Sequence, residues 1–238
     1  MSEGERYLDR EAIVVRSRDV GEADRLVWIV TREEGRTQVL ARGVRRPRAR
    51  LGGSIQPLSL VRLTLYDGRR LSITGASVER AWRRWKETYE GTVAGAFMAE
   101  LLFLASPEGS EAEAPFSLAR EAFDRGEEGS DVIPTALAFA RDLLSGAGWG
   151  IDYGVCAVCG RPLRGDAYVH PHLGAVTHPG CRREGYALDG ATLESLRGGE
   201  VTGANQGRLL EALLMLWQHH LEGPLRTAPG IRRAIRGG

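Results

Sequence analysis

The stretch Leu58–Ala76, LSLVRLTLYDGRRLSITGA, decides the fold. It places Val61, Leu63 and Leu65, then Leu71 and Ile73, on one side, and Arg62, Thr64, Ser72 and Thr74 on the other. A period of two is that of a half-buried β-strand. Asp67-Gly68 between the two runs supplies the residues that tolerate the positive φ angles of a tight hairpin. Working outward, Ala12–Arg18, Arg25–Arg32 and Thr37–Arg42 are also rich in β-branched and aliphatic residues and bounded by turn chemistry. Five short strands, with a longer connection from Gly43 to Pro57 between the third and fourth, predict a small closed barrel of the OB type, with an SH3-like barrel as the nearest competitor.

From Trp82 onward the period changes to that of helices. Ala94, Phe97, Met98, Leu101 and Leu102 form one stripe, and Ile133, Leu137, Ala140 and Leu144 another, the latter opened by Asp131 as N-cap and stopped at Gly146. Glu108 to Glu113 reads as a polar loop. A further helix runs from about Asn205 to Gly223-Pro224 with Leu210, Leu213, Leu214, Trp217 and Leu221 inward, and the closing IRRAIRGG reads as a mobile basic tail. The expected architecture is therefore α+β, with a barrel over residues 1–80 and a helical domain over 81–238.

The chain has 238 residues, 42% of them apolar, enough to bury a full core. Its longest apolar run, near Val93 to Ala105, is broken by Gly95 and Glu100 and falls short of a membrane span, and MSEGERYLDR lacks the order of a secretory signal. A cytoplasmic protein is expected. The net charge is +1, but it is unevenly spread: residues 1–90 carry +6, 91–150 carry −7 and 151–238 carry +2. A basic front half points to a polyanionic partner.

Three cysteines, two of them in a CxxC pair, are an odd count that suits metal binding in a reducing compartment better than a disulfide framework. Cys156-x-x-Cys159, eighteen residues, then His178-x-x-Cys181 has the two-knuckle spacing of a structural zinc site, with Gly160 and Gly180 allowing the backbone to curl around the thiolates. His170 and His172, between the knuckles, are alternatives to His178. Four protein ligands leave no open position for a catalytic water.

The segment Ala41–Arg50 holds Arg42, Arg45, Arg46, Arg48 and Arg50 with no acid among them, and reads as a phosphate-binding loop. Arg16, Arg18, Arg25 and Arg62, with Arg69 and Arg70, extend the basic patch along the strands. Among aromatics that stack on bases, Trp28 sits in a wholly apolar strand and reads as core, whereas Tyr66 shares the polar face of Arg62 and Thr64. Motifs of catalysis are missing: the single lysine, Lys86, follows no glycine-rich phosphate loop, and there is no GxSxG elbow, HExxH pair, dinucleotide fingerprint or deaminase signature. A binding protein is expected, without catalytic residues.

Gly21-Glu22-Ala23-Asp24-Arg25, Gly35-Arg36, Ala41-Arg42-Gly43-Val44-Arg45-Arg46 and Leu51-Gly52-Gly53 leading to Gln56-Pro57-Leu58-Ser59-Leu60 together resemble the RecO family of bacterial DNA repair proteins. The resemblance spans nearly the whole chain and is most specific over the first 80 residues and at the cysteine knuckles. It implies an OB-fold, a helical domain with a zinc-finger region at about 153–186, and no active site. It also implies binding of single- and double-stranded DNA, strand annealing, partnership with RecR, and help in loading RecA on DNA coated by single-strand binding protein. Carried over by residue, the basic loop matches Arg42, Arg45, Arg46, Arg48 and Arg50, and the structural zinc ligands match Cys156, Cys159 and Cys181. His178 departs from the cysteine common at that place; three thiolates and an imidazole still suit zinc. The rivals are a zinc-dependent nuclease, which needs an open metal position beside Asp152, Asp166 or Glu184, and an RNA-binding OB-fold factor.

Overall fold

In the computed structural model, residues 7–46, 49 and 51–237 are described; Arg48 and Arg50 of the predicted loop lie outside them. The chain forms two compact units, one comprising the residues up to Glu87 with Ala99–Glu128, the other Thr88–Met98 with the chain from Gly129 onward.

The first unit is built on five strands, β1 (Tyr7–Val20), β2 (Asp24–Thr31), β3 (Gly35–Ala41), β4 (Ser59–Tyr66) and β5 (Ser72–Arg80), closed in the order β1-β2-β3-β5-β4. This is the five-stranded OB-fold barrel that the alternation over 58–76 predicts. A one-turn helix, α1 (Leu51–Ser54), lies in the connection between β3 and β4. Closure depends on the length of β1: Tyr7–Val14 pairs with β4 and Ala12–Val20 with β2, and a bulge between Val14 and Arg16 bends the strand between its two partners. β3 meets β5 in a short parallel contact, Leu40 opposite Ser72 and Ala41 opposite Ile73. Inward residues fill the barrel, among them Val14, Val27, Ile29, Val39, Leu63, Leu65 and Ile73.

The outer face is divided. Ile13, Val30 and Leu60 alternate with inward neighbours yet are also fully buried. In the same unit α3 (Glu113–Glu127) buries Phe116, Ala119 and Phe123, and Trp82 stacks on Phe123 at 4.5 Å while its indole donates to Asp124 at 2.7 Å. Trp85 meets the same ring edge-on and donates to the Phe123 carbonyl at 2.9 Å. Both tryptophans are therefore core, with no face free for a base. The α3 helix was legible only in part: Glu111 ahead of it and Glu113 at its start look like loop, but Phe116, Ala119 and Phe123 have helical spacing.

In the second unit α4 (Val132–Leu144) follows Asp131, which holds the cap position without a side-chain bond, and passes into a wider turn through Trp149 instead of stopping at Gly146. A small sheet of β6 (Ala167–His170), β7 (Ala175–Thr177) and β8 (Tyr186–Leu188) has the order β7-β6-β8. It is followed by α5 (Gly190–Leu196), α6 (Gln206–His220) and α7 (Ala228–Gly237). Trp217 of α6 donates to the Ala140 carbonyl of α4 at 3.1 Å. The expected mobile tail is instead the amphipathic α7, which buries Ile231 and Ala234 and clamps Arg232 onto Glu211 of α6 by two bonds of 2.7 Å. The remaining helix, α2 (Tyr89–Ala105), contributes to both units.

Candidate metal centre and nucleic-acid interface

The two knuckles meet beside the small sheet. The first is pinned by a bridge between Val155 and Pro162, and the second leaves β7 at Thr177. Together they bring Cys156, Cys159, His178 and Cys181 so close that one ligand atom from each lies within 4.8 Å of the others. Gly160 has φ +68, a left-handed turn that favours glycine, while Gly180 lies outside that region, in the turn closed by the Cys181 amide on the His178 carbonyl at 2.9 Å. His178 donates its Nε2–H to the Pro162 carbonyl at 3.1 Å, which leaves Nδ1, 3.4 Å from the Cys159 sulfur, as the ligating nitrogen. The alternatives fall away: His170 is buried and bonded to Thr177 at 3.0 Å, and the His172 ring stands edge-on against His219.

Charge in the cluster favours a cation. Burial opposes ionisation of Cys156, but backbone amides led by that of His178, 3.4 Å from the sulfur, outweigh it and hold the thiol at about 6. The Arg161 side chain lowers Cys159. Cys181, facing Cys159 and Cys156, is pushed up to about 11. Negative charge gathered on Cys156 and Cys159 opposes ionisation of Cys181, which is the conflict a divalent ion removes. The donor chemistry fits zinc, with all four ligands from protein. No carboxylate belongs to the cluster among the described residues; Asp152 accepts from the Gly154 amide at 2.7 Å and Glu184 pairs with Arg182.

On the barrel, the part of the outer face left open lies across β1, β2 and β3. Arg16 stands opposite Trp28 and Trp28 opposite Gln38; one step along, Arg18 faces Leu26 and Leu26 faces Leu40. Trp28 therefore points outward and is half-buried, which corrects its reading as core. β2 is apolar on both faces because Val27 and Ile29 fill the barrel while Val30, on the outside, is also buried. The Arg16 guanidinium lies over the Trp28 ring at 4.9 Å.

The arginine turn follows β3. The Gly43 amide donates to Asp24 at 2.8 Å and the Arg45 amide to the Ala23 carbonyl at 3.0 Å, so the turn is tied to the β1–β2 hairpin. The predicted basic residues then separate by partner. Arg25 and Arg45 both engage Asp19, at 2.9 and 3.3 Å, and the Arg25 bond holds that carboxyl below its usual range. Arg62 pairs with Glu79 at 2.9 Å, on the side of the barrel where Tyr66 meets the ring of Tyr7 at 5.3 Å. Among the described residues Arg16, Arg18, Arg42 and Arg46 form no ion pair.

These features define a class, a five-stranded OB-fold protein with a knuckle-type Cys3His cluster able to hold a metal ion and a basic, partly aromatic barrel face. Two family profiles match the chain, Recombination protein O N terminal over residues 6–79 and Recombination protein O C terminal over 86–229. The chain is 32% identical over 212 residues to the DNA repair protein RecO of Symbiobacterium thermophilum, covering 84% of this chain and 83% of the relative. It is 36% identical over 177 residues to that of Rubrobacter xylanophilus, covering 72% and 70%, and 29% identical over 243 residues to that of Desulforudis audaxviator, covering 94% and 95%. The chain belongs to the RecO family. Among the described residues no helix is long and apolar enough to cross a membrane.

Proposed function

We propose that the chain is a cytoplasmic, nucleoid-associated recombination mediator that binds single- and double-stranded DNA, anneals complementary strands and, with RecR, helps load RecA. The reading requires no catalysis: the basic barrel face holds two strands by their phosphates and offsets their repulsion while bases pair. The observation that carries it is the set Arg16, Arg18, Arg42 and Arg46, which are exposed and have no acidic partner among the described residues, the first two on β1 beside Trp28 and Leu26 and the other two in the turn after β3. Guanidinium groups free of internal ion pairs are available to phosphate oxygens, whereas Arg25, Arg45 and Arg62 first have to leave a carboxylate. Arg48 and Arg50 belong to the same run, and Tyr66 is a second candidate contact. One structural zinc ion on Cys156, Cys159, His178 and Cys181 would hold the knuckles together, and the apolar surface of the helical region would dock RecR or single-strand binding protein.

The test is equilibrium binding of labelled single strands and duplexes across a salt series. Charge reversal by Arg42→Glu with Arg46→Glu is expected to weaken every sequence alike and flatten the salt dependence. Unchanged affinity and slope would remove the barrel face from the mechanism.

A further inference from the structure

We propose that Trp28, flanked by Leu26 and Leu40 on the open face of β1–β2–β3, is the stacking platform on which the bases of a single DNA strand lie. The inference rests on the reading that this face binds DNA, and goes beyond it by assigning base contacts to particular residues.

The argument starts from an unusual placement. Along the outside of β2, Val30 is fully buried, but Trp28 and Leu26 are only half-covered. Leu40 is likewise half-covered beside Leu26 on β3, and neither leucine belongs to the barrel core. Three large apolar side chains thus share a partly solvent-facing surface, which costs free energy in the unbound protein. Their surroundings indicate the occupant. Arg16 and Arg18 border them on β1, and Arg42 follows β3, all three without an ion pair among the described residues. An apolar centre within an arginine rim complements a chain with flat apolar bases and a charged backbone. In a duplex the base faces are hidden in the stack, so only an unpaired strand can use both parts.

Arg16 fixes the register between them. Its guanidinium covers the indole face in the free protein, so a base that stacks on Trp28 takes that place and the displaced charge meets the phosphate beside it. The side of the barrel that carries the Tyr7–Tyr66 pair lacks this combination: Arg62 there is held by Glu79, and Asp9 and Glu11 share β1 with Tyr7.

The experiment compares the whole protein with its Trp28→Ala and Trp28→Phe variants, using a labelled oligo(dT) strand and a duplex of equal length. Trp28→Ala is expected to weaken oligo(dT) binding about tenfold, within the range for loss of one stacked base. The salt slope stays unchanged because no charge is lost, duplex affinity stays within about twofold, and Trp28→Phe recovers most of the affinity. Quenching is an independent reading, taken in a Trp149→Phe background because Trp149 is half-buried as well: oligo(dT) should quench tryptophan emission, and adding Trp28→Phe should remove most of that signal, since Trp82, Trp85 and Trp217 are fully buried. Equal losses for strand and duplex, no loss, or quenching that persists in Trp28→Phe would overturn the platform while leaving DNA binding intact. Absence of any DNA binding by the wild type would overturn both readings together.

Discussion

His178 and Pro162 are joined by a bond of 3.1 Å from imidazole Nε2–H to carbonyl oxygen, and that bond turns Nδ1 toward the cysteine sulfurs. A ligand oriented in this way binds metal more tightly than a freely rotating ring. His178→Ala should lower zinc affinity by more than the roughly 10–100-fold typical of losing an outer partner alone. His178→Cys should retain the ion, because four thiolates also suit zinc. Metal analysis of the purified variants checks both; equal zinc content in wild type and His178→Ala would exclude this histidine as a ligand.

Removal of the ion should act locally. The small sheet and both knuckles are in the second unit, whereas the barrel is in the first. Chelation is therefore expected to lower the melting temperature and expose Cys156, Cys159 and Cys181 to thiol reagents, with little effect on the affinity of the barrel face for single strands. Parallel measurements of thiol reactivity and DNA binding with and without chelator decide the point.

Charge partners predict unequal arginines. Arg42→Ala with Arg46→Ala should reduce the single-strand salt slope by about 1.4, at about 0.7 per phosphate contact. Arg25→Ala should change it less, since Arg25 is bonded to Asp19 at 2.9 Å. Slopes from anisotropy titrations distinguish the two, and a larger effect of Arg25→Ala would contradict this ranking.

The α6–α7 clamp should be sensitive to acid. The Arg232 guanidinium holds Glu211 below the 4.5 of a free glutamate. A carboxylate with a lowered folded pKa stabilises above its unfolded value and loses that contribution as pH falls through the folded one. The wild type should therefore lose urea resistance below about pH 4.5 by this route, and Glu211→Gln should be weaker at neutral pH but show a smaller acid-dependent loss. Denaturation midpoints at neutral and acid pH provide the comparison.

Gly35 tests the packing of the first unit. It has φ +63, and an added Cβ would lie 2.0 Å from the Pro107 carbonyl oxygen. Gly35→Ala is expected to destabilise by at least about 1–3 kcal/mol, the usual cost of a strained φ. A melting temperature equal to the wild type would show that the loop at Pro107 yields freely.

The barrel was readable because the alternation of β4 and the turn residues between the five runs agree, but the tight turn expected at Asp67-Gly68 is instead a five-residue connection, with Tyr66 paired to Ser72 and Gly68 outside the positive-φ region. Trp28 was misread for the opposite reason: a strand covered on both faces over part of its length shows no alternation, and only the fold reveals that the cover stops short of it. The knuckle spacing was legible, but three histidines competed until the sheet bonded His170 to Thr177 and set His172 against His219. The ending was misread because Ile231–Gly238 is basic, and its order depends on Glu211, distant in sequence.

Strand annealing by the purified protein, without ATP, across a salt series and with gels to follow strand length, tests the central claim most directly. The account predicts faster pairing of complementary strands at low salt, loss of that acceleration with Arg42→Glu and Arg46→Glu, and strands of unchanged length. Cleavage, or binding that never speeds annealing at any salt, would contradict it.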